Sequence, residues 1–190
     1  DPVGGRYVFL SIGMSNASQE FIRFKTLADA DLTKDPKLVI VNGAQGGKTA
    51  NIISNPTDDF CTIVDSRLSS AGVTPQQVAV AWVKEVEATG MTSAFPDGEL
   101  SLRNHLGDIL RILKTKYPNI KLAYLSSRTY GGYAASTIIS PEPYAYQSGF
   151  GPKWVIEQQL GGDPNLNFNA SSGPVVAPWL AWGPYLLADG

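Results

Sequence analysis

The sequence predicts an α/β protein built on a parallel sheet of about five strands. Three observations support this class: apolar β-type runs recur along the chain, helical patterns separate them, and glycine or proline closes several helices. Near-continuous apolar strands separated by helices indicate a parallel sheet that is covered on both faces. We expect strands over residues 7–12, 38–42, 78–83, 122–126 and 175–182.

Three segments are predicted to be helical, and one to be a long loop. The clearest helix covers 100–117, where leucine and isoleucine follow helical spacing up to Pro118. Further helices are expected over 61–71 and 144–160, each followed by glycine. Residues 127–143, rich in Gly, Ser, Tyr and Pro, follow the fourth strand and are expected to form a functional loop.

The composition is that of one ordinary globular domain spanning 1–190. Of its 190 residues, 43% are hydrophobic and 17% are charged. A formal net charge of −2, without a basic run, argues against a nucleic-acid partner. No stretch approaches the roughly 20 apolar residues of a membrane-spanning helix, so we expect no membrane span.

Several features predict a secreted glycoprotein. The chain begins with Asp1 rather than with Met, as a processed product does. Asn16 and Asn169 each open an Asn-x-Ser sequon, which is an acceptor for N-glycosylation. Cys61 is the one cysteine, so the chain forms no internal disulfide and its thiol is expected to be buried.

Ser15 is the candidate nucleophile. The first apolar run ends at Gly13-Met14, and helix-compatible sequence follows Ser15. A serine on a strand-to-helix turn lies beside the first N–H groups of the helix, which can hold an anion. Nucleophilic catalysis by serine uses that geometry.

A glycine-rich segment follows the second strand. Residues 42–49 read NGAQGGKT, and their glycines allow the backbone to turn sharply and approach a ligand. The N–H groups are candidates for an oxyanion hole. Two other interpretations are a phosphate-binding loop, which would need Gly in place of Asn42, and a tight turn without a ligand.

Two short blocks together resemble the SGNH hydrolase superfamily, and most closely its carbohydrate acetylesterases. They are 12–16, IGMSN, and 41–50, VNGAQGGKTA. The resemblance implies a flavodoxin-like, three-layer α/β/α fold. It implies Ser15 as the nucleophile, with the oxyanion held by the backbone N–H groups of Ser15 and Gly47.

The chain departs from the pattern of this superfamily at its other two blocks. The third block usually supplies an Asn oxyanion donor, but here 81–86 reads AWVKEV. Trp82 fits the W-x-Q-G-E spacing of the sugar-esterase branch, and Lys84 occupies the place of Gln. Lys84 is therefore a candidate oxyanion donor, with an ion pair to Glu85 or Glu87 as the alternative. The fourth block, Asp-x-x-His, is absent from these 190 residues.

The other chemistry-bearing residues have mainly structural interpretations. His105, the one histidine, is expected on a helix beside the apolar stripe, solvated or edge-packed, with Asp108 as a local partner. Asp58 and Asp59 read as a solvated turn rather than as a metal site. We predict no metal and no cofactor.

Two functional hypotheses follow. The first is a serine esterase that removes acyl groups, in particular acetyl groups, from carbohydrate through an acyl-enzyme on Ser15. The second is a non-catalytic scaffold that binds glycan or associates with copies of itself through the last strand. In either case we expect the substrate site to include the following residues: Asn16, Gln45, Trp82, Arg128 and Tyr130.

Overall fold

A computed structural model describes residues 5–87, 94–134 and 142–186 and contains a five-stranded sheet in which every pairing is parallel. The strand order is β2-β1-β3-β4-β5. The predicted α/β class, with a flavodoxin-like three-layer arrangement, is confirmed. The strands are β1 Tyr7–Gly13, β2 Leu38–Asn42, β3 Val78–Lys84, β4 Leu122–Leu125 and β5 Trp179–Trp182.

Helices connect successive strands, as the sequence predicts. The described helices are α1 Ser15–Ala30, α2 Ala50–Ile53, α3 Phe60–Ser70, α4 Asp97–Lys116 and α5 Tyr144–Leu160. The bounds of α5 agree with the prediction. Helix α4 begins at Asp97 rather than at Leu100, and the acidic side chains of Asp97 and Glu99 in its first turn favour that start. Helix α2, a single turn, was not predicted.

The fifth strand is shorter than predicted because its first half forms a different set of hydrogen bonds. The N–H groups of Val176 and Ala177 both donate to the carbonyl of Asn167, at 2.8 and 3.2 Å. Pro178 has no N–H to donate to a neighbouring strand. The parallel pairing with β4 therefore begins only at Trp179.

One face of the sheet, which we call the packed face, carries most of the hydrophobic core. Side chains that alternate along the strands, such as Leu10, Ala81 and Ala123, point into this core and are fully buried. Helices α2, α3, α4 and α5 cover them. Their contributions include the following side chains: Ile53, Val64, Leu68, Leu102, Leu106, Leu110, Val155 and Ile156.

The opposite face, which we call the open face, carries Phe9, Trp82 and Tyr124. Within the described ranges, α1 is the helix that packs on it. Phe21 of α1 stacks on Trp82 with ring centroids 5.8 Å apart and an interplanar angle of 13°. The helix therefore covers one part of this face and leaves a groove beside it.

The connections place the candidate residues at one edge of the sheet. Strand β1 lies between β2 and β3. The connection after β1 therefore leads to one side of the sheet, whereas the connection after β2 crosses back to the other side. In open α/β sheets, ligands bind at the carboxyl ends of the strands near such a switch point. None of the described helices is long and apolar enough to cross a membrane.

Candidate functional site

Ser15 lies where the fold brings β1 into α1. It is the first residue of that helix and its side chain is exposed. Gly13 makes this tight passage feasible, because a β-carbon there would lie 2.5 Å from the carbonyl oxygen of Lys84 and 2.6 Å from Cβ of Ala17. Any other residue at position 13 would displace β3 or α1 and so move Ser15.

The glycine loop after β2 lies directly beside Ser15. The N–H of Gln45 donates to the carbonyl of Gly13 at 2.8 Å, which ties the loop to the end of β1. A β-carbon built on Gly46 would lie 3.9 Å from Cβ of Ser15. Gly47 has φ of +76°, a conformation that side chains disfavour.

This arrangement leaves hydrogen-bonding groups unused next to the serine. Within 5–87, 94–134 and 142–186, neither Oγ of Ser15 nor the N–H of Gly46 or Gly47 has a hydrogen-bond partner. Exposed N–H groups beside a serine are what an oxyanion hole requires. The structure thus places the glycine loop, through Gly46, next to Ser15 at one edge of the sheet, while the predicted roles of Ser15 as nucleophile and Gly47 as oxyanion donor stay predictions.

A buried polar network that the sequence analysis missed holds the start of this loop. Ser11 Oγ donates to Oδ1 of Asn42 at 2.8 Å, and the Asn42 amide donates to Oγ of Ser18 at 2.7 Å. Ser11 Oγ also accepts from the N–H of Gly43 at 3.1 Å. The available signal was a serine inside an apolar strand, because a buried hydroxyl needs partners.

Two side chains of the loop are engaged within the protein. The Gln45 amide donates to the carbonyls of Gly43 and Phe60, at 3.3 and 2.9 Å, so it braces the loop against α3. Its predicted contact with substrate stays a prediction. The Lys48 ammonium lies 2.8 Å from Asp58 and 2.5 Å from Asp59. Lys48 is thus held by carboxylates, whereas in a phosphate-binding loop it would face a phosphate.

Lys84 lies at the end of β3 with its side chain fully buried. Its ammonium donates to both carboxylate oxygens of Glu20 on α1, at 2.6 and 2.7 Å. The partner is therefore Glu20, and not Glu85 or Glu87 as the sequence suggested. Burial lowers the pKa of Lys84, and the ion pair with Glu20 partly opposes that shift.

Trp82 is 8% exposed and is fixed from two sides. Its indole Nε1 donates to Oγ of Ser126 at 2.6 Å, and its ring stacks on Phe21. It is also one of the residues that line the groove beside α1. Its predicted role in binding substrate stays a prediction.

A cleft of about 360 Å³ lies next to the start of α1. It brings together Asn16, Arg128 and Tyr130, three of the predicted substrate-site residues, with Glu20 and Tyr133. Burial lowers the pKa of Arg128, while the charge of Glu20 acts in the opposite direction. The cleft therefore combines charged groups with tyrosine rings, of which Tyr130 and Tyr133 meet edge to face at 5.4 Å.

The predicted functional loop forms one side of this cleft. Of residues 127–143, the structure describes 127–134 and 142–143. Glu142 accepts hydrogen bonds from the N–H groups of Gly131 and Tyr146, at 2.8 and 3.0 Å. Ser148 Oγ accepts from the N–H of Arg128 at 2.7 Å. These bonds anchor the loop to α5 and thereby position Arg128.

His105 lies beside the carboxyl edge of the sheet rather than only on a solvated helix face. Its Nδ1 is 2.6 Å from Oε1 of Glu87, in the segment that follows β3. The expected partner, Asp108, pairs with Arg111 instead. The one histidine of the chain is therefore hydrogen-bonded to a carboxylate of another segment.

Glu85 is a further buried carboxyl at this edge. It is 2% exposed, and its carboxylate oxygens make no hydrogen bond of good geometry to any described residue. Burial raises its pKa well above the ordinary range, and the charge of Glu87 adds to that shift. Val86 N–H and Arg128 act in the opposite direction.

The two sequons lie in different environments. Asn16 is half-buried on α1 and lines the cleft, whereas Asn169 is exposed and its side chain accepts from the N–H of Ser171 at 3.0 Å. Glycosylation of either stays a prediction. Among the described residues, no group of three potential metal ligands occurs.

The fold and this site define a three-layer α/β protein with an exposed serine and a glycine loop at the carboxyl edge of its sheet. Comparison with protein-family models finds no match for the chain. Curated proteins show no match to it either.

Proposed function

We propose that this protein is a serine esterase of the SGNH type that hydrolyses acyl esters, with acetylated carbohydrate as a substrate. In this reaction Ser15 Oγ bonds to the carbonyl carbon, the bond from that carbon to the alkoxy oxygen breaks, and the alcohol leaves with a proton. Water then hydrolyses the acyl-enzyme and restores the Ser15 hydroxyl.

The observation that supports the proposal is that hydrogen-bonding groups around Ser15 have no partner among the described residues. Its Oγ is exposed at the first turn of α1, and the free N–H groups of Gly46 and Gly47 lie on the adjoining loop. Groups that are held in place by the fold stabilise a developing oxyanion without reorganising during the reaction. The cleft beside Asn16 supplies a place for the alcohol part of the substrate.

Within the described residues, no side chain that could act as a general base is hydrogen-bonded to Ser15 Oγ. The one histidine is hydrogen-bonded through Nδ1 to Glu87, and the Lys84 ammonium is held by both oxygens of Glu20. Among the residues that the structure describes, neither group forms a hydrogen bond with Ser15. The sequons lead us to place the enzyme outside the cell.

The direct test is turnover of p-nitrophenyl acetate by the native protein and two variants. We expect Ser15→Ala to reduce kcat by at least about a thousandfold, because removing a serine nucleophile abolishes the acyl-enzyme route. Ser69→Ala is the matched control, since Ser69 is an exposed serine on α3. It should leave turnover unchanged. Equal rates for Ser15→Ala and the native protein would contradict the proposal.

The second candidate function is a non-catalytic scaffold that binds glycan or associates with itself. It is favoured by the absence of an Asp-x-x-His block from these 190 residues, because a serine without a base stays protonated and weakly nucleophilic. Strand β5 pairs with β4 on one side and lies at the edge of the described sheet, where a second chain can pair. Light scattering that shows a stable monomer would exclude the self-associating form of this function.

A further inference from the structure

The two glycines next to Ser15 lie at the tip of a tight turn. The N–H of Lys48 donates to the carbonyl of Gln45 at 3.3 Å, which closes a four-residue turn around Gly46 and Gly47. Gly47, the third residue of the turn, has the positive φ of a type II turn. Because glycine has the most backbone freedom of any residue, the orientation of these N–H groups depends on how the two ends of the turn are held.

The first end of the turn is held by hydrogen bonds to neighbouring backbone. Gln45 donates through its own N–H to the carbonyl of Gly13 at 2.8 Å, and through its side-chain amide to the carbonyl of Phe60 at 2.9 Å. Arg67 of α3 donates to the carbonyl of Ala44 at 2.8 Å. The chain is therefore fixed up to the start of the turn.

The second end of the turn is held by an ion pair. The Lys48 ammonium lies 2.8 Å from each carboxylate oxygen of Asp58, and Oδ1 of Asp58 also accepts from the N–H of Phe60 at 2.9 Å. The side chains of Lys48 and Asp58 are 22% and 18% exposed, so this pair is shielded from water better than a surface pair is. Both ends of the turn thus reach the same short segment, residues 58–60.

Asp59 contacts the same ammonium but differs from Asp58 in its burial. Its side chain is 66% exposed, and its Oδ1 lies 2.5 Å from Nζ of Lys48. Exposed ion pairs contribute little to stability, because water and salt screen them. Asp58 is therefore the carboxylate that holds Lys48 in place, and Asp59 provides a control at the adjacent position.

We propose that Asp58 is a positioning residue for ester hydrolysis: through its ion pair with Lys48, it fixes the glycine turn beside Ser15. The inference rests on the proposed esterase function and extends it, because it adds a residue that acts on the oxyanion donors from behind the turn. Such donors stabilise the developing charge only if they are already in place when it forms. A displacement of about 1 Å can cost up to about a hundredfold in rate.

The kinetic test measures turnover of p-nitrophenyl acetate by Asp58→Asn, which removes the charge and keeps an oxygen for the N–H of Phe60. We expect kcat to fall at least about tenfold while KM changes less than about twofold, because the oxyanion forms only in the transition state. Asp59→Asn removes the same charge from the adjacent residue and should leave both constants unchanged. Equal effects of the two variants would overturn the proposal.

Variants of Lys48 test whether the effect passes through the ion pair. Lys48→Met should reproduce the loss seen with Asp58→Asn, whereas Lys48→Arg keeps the charge and should retain most of the native turnover. The double variant Asp58→Asn/Lys48→Met should lose no more than the larger single loss, since both changes break one interaction. Losses that multiply would show that the two residues act independently and would overturn the proposal.

A measurement without catalysis separates this inference from the proposed function. NMR relaxation of the ¹⁵N-labelled Ser15→Ala protein reports the backbone amides directly, and the same spectra show whether each variant is folded. Adding Asp58→Asn should lower the order parameters of Gly46 and Gly47 from about 0.85 toward about 0.6. That of Gly43 should stay unchanged, because a serine hydroxyl of β1 holds its N–H.

The two kinds of failure give different results. Unchanged order parameters of Gly46 and Gly47 in the Asp58→Asn protein would overturn the positioning role of Asp58. Lowered order parameters, together with no turnover of p-nitrophenyl acetate by the native protein, would overturn the esterase function and support the hold of Asp58 on the turn.

Discussion

The two faces of the sheet are covered very differently, although the same strands build both. On β4, Ala123 and Leu125 point to the packed face and are fully buried. Leu122 and Tyr124 point to the open face and are only half-buried. Four helices cover the first face, whereas α1 covers the second over the described ranges.

The packed face therefore contributes mainly to stability, whereas the open face remains available for recognition. Burial of apolar side chains is the main favourable contribution to folding, so the packed face supplies most of it. The open face keeps apolar surface accessible, next to the edge that carries Ser15. An accessible apolar groove on an otherwise ordinary surface indicates a site of interaction.

The largest predicted effect contrasts two leucines of one strand. Leu125→Ala should lower the free energy of unfolding by about 2–5 kcal/mol, because it leaves a cavity in the packed core. Leu122→Ala, on the open face, should cost about 1 kcal/mol or less, because its side chain is already partly in water. Urea unfolding of both variants measures the contrast. Equal losses would show that the two faces contribute alike.

The second prediction concerns how the free energy of unfolding depends on pH, through Glu85 at the carboxyl edge of the sheet. Because burial raises the pKa of Glu85, the folded protein holds a proton there that the unfolded chain releases above about pH 4.5. Stability should therefore fall as pH rises from that value toward the raised pKa, by up to about 1.4 kcal/mol per pH unit from this group.

Glu85→Gln tests this dependence, because glutamine carries no titrating proton. Urea unfolding at several pH values should give a flatter profile for this variant than for the native protein. Glu157→Gln, at an exposed position of α5, is the control and should leave the profile unchanged. Identical profiles for Glu85→Gln and the native protein would contradict the buried, protonated state of Glu85.

The smallest predicted effect tests how α1 is held on the open face. Trp82→Phe removes the hydrogen bond from Nε1 to Ser126 but keeps an aromatic ring against Phe21. We expect a loss of about 1 kcal/mol in unfolding free energy. A loss above about 3 kcal/mol, measured by urea unfolding, would show that this face depends on Trp82 as strongly as the packed face depends on Leu125.

The strands and three of the five described helices could be predicted, to within a few residues, because their signals are local. The apolar run of β1 and the spacing of Leu102 and Leu106 on α4 each follow from a few neighbouring residues. The short strand β5 could not be predicted in full, because Asn167 competes for its N–H groups from outside the run. Local apolar character does not reveal such a competitor.

The candidate site was predictable only in part. Ser15 was singled out because a strand end is visible in the sequence, and Gly47 was named because of the resemblance to SGNH hydrolases, so the roles of both stay predictions. The pairing of Lys84 with Glu20 and of His105 with Glu87 joins residues far apart in the chain. Those partners depend on which helix covers which strand, and single-sequence reasoning favours nearer carboxylates instead.

The most direct test of the central claim is covalent labelling of the native protein with a fluorophosphonate. In that reaction Ser15 Oγ bonds to phosphorus and fluoride leaves, which requires an activated serine. We expect a single adduct, located on Ser15 by peptide mass mapping and absent from Ser15→Ala. Turnover of p-nitrophenyl acetate by a protein whose Ser15 stays unmodified would contradict it.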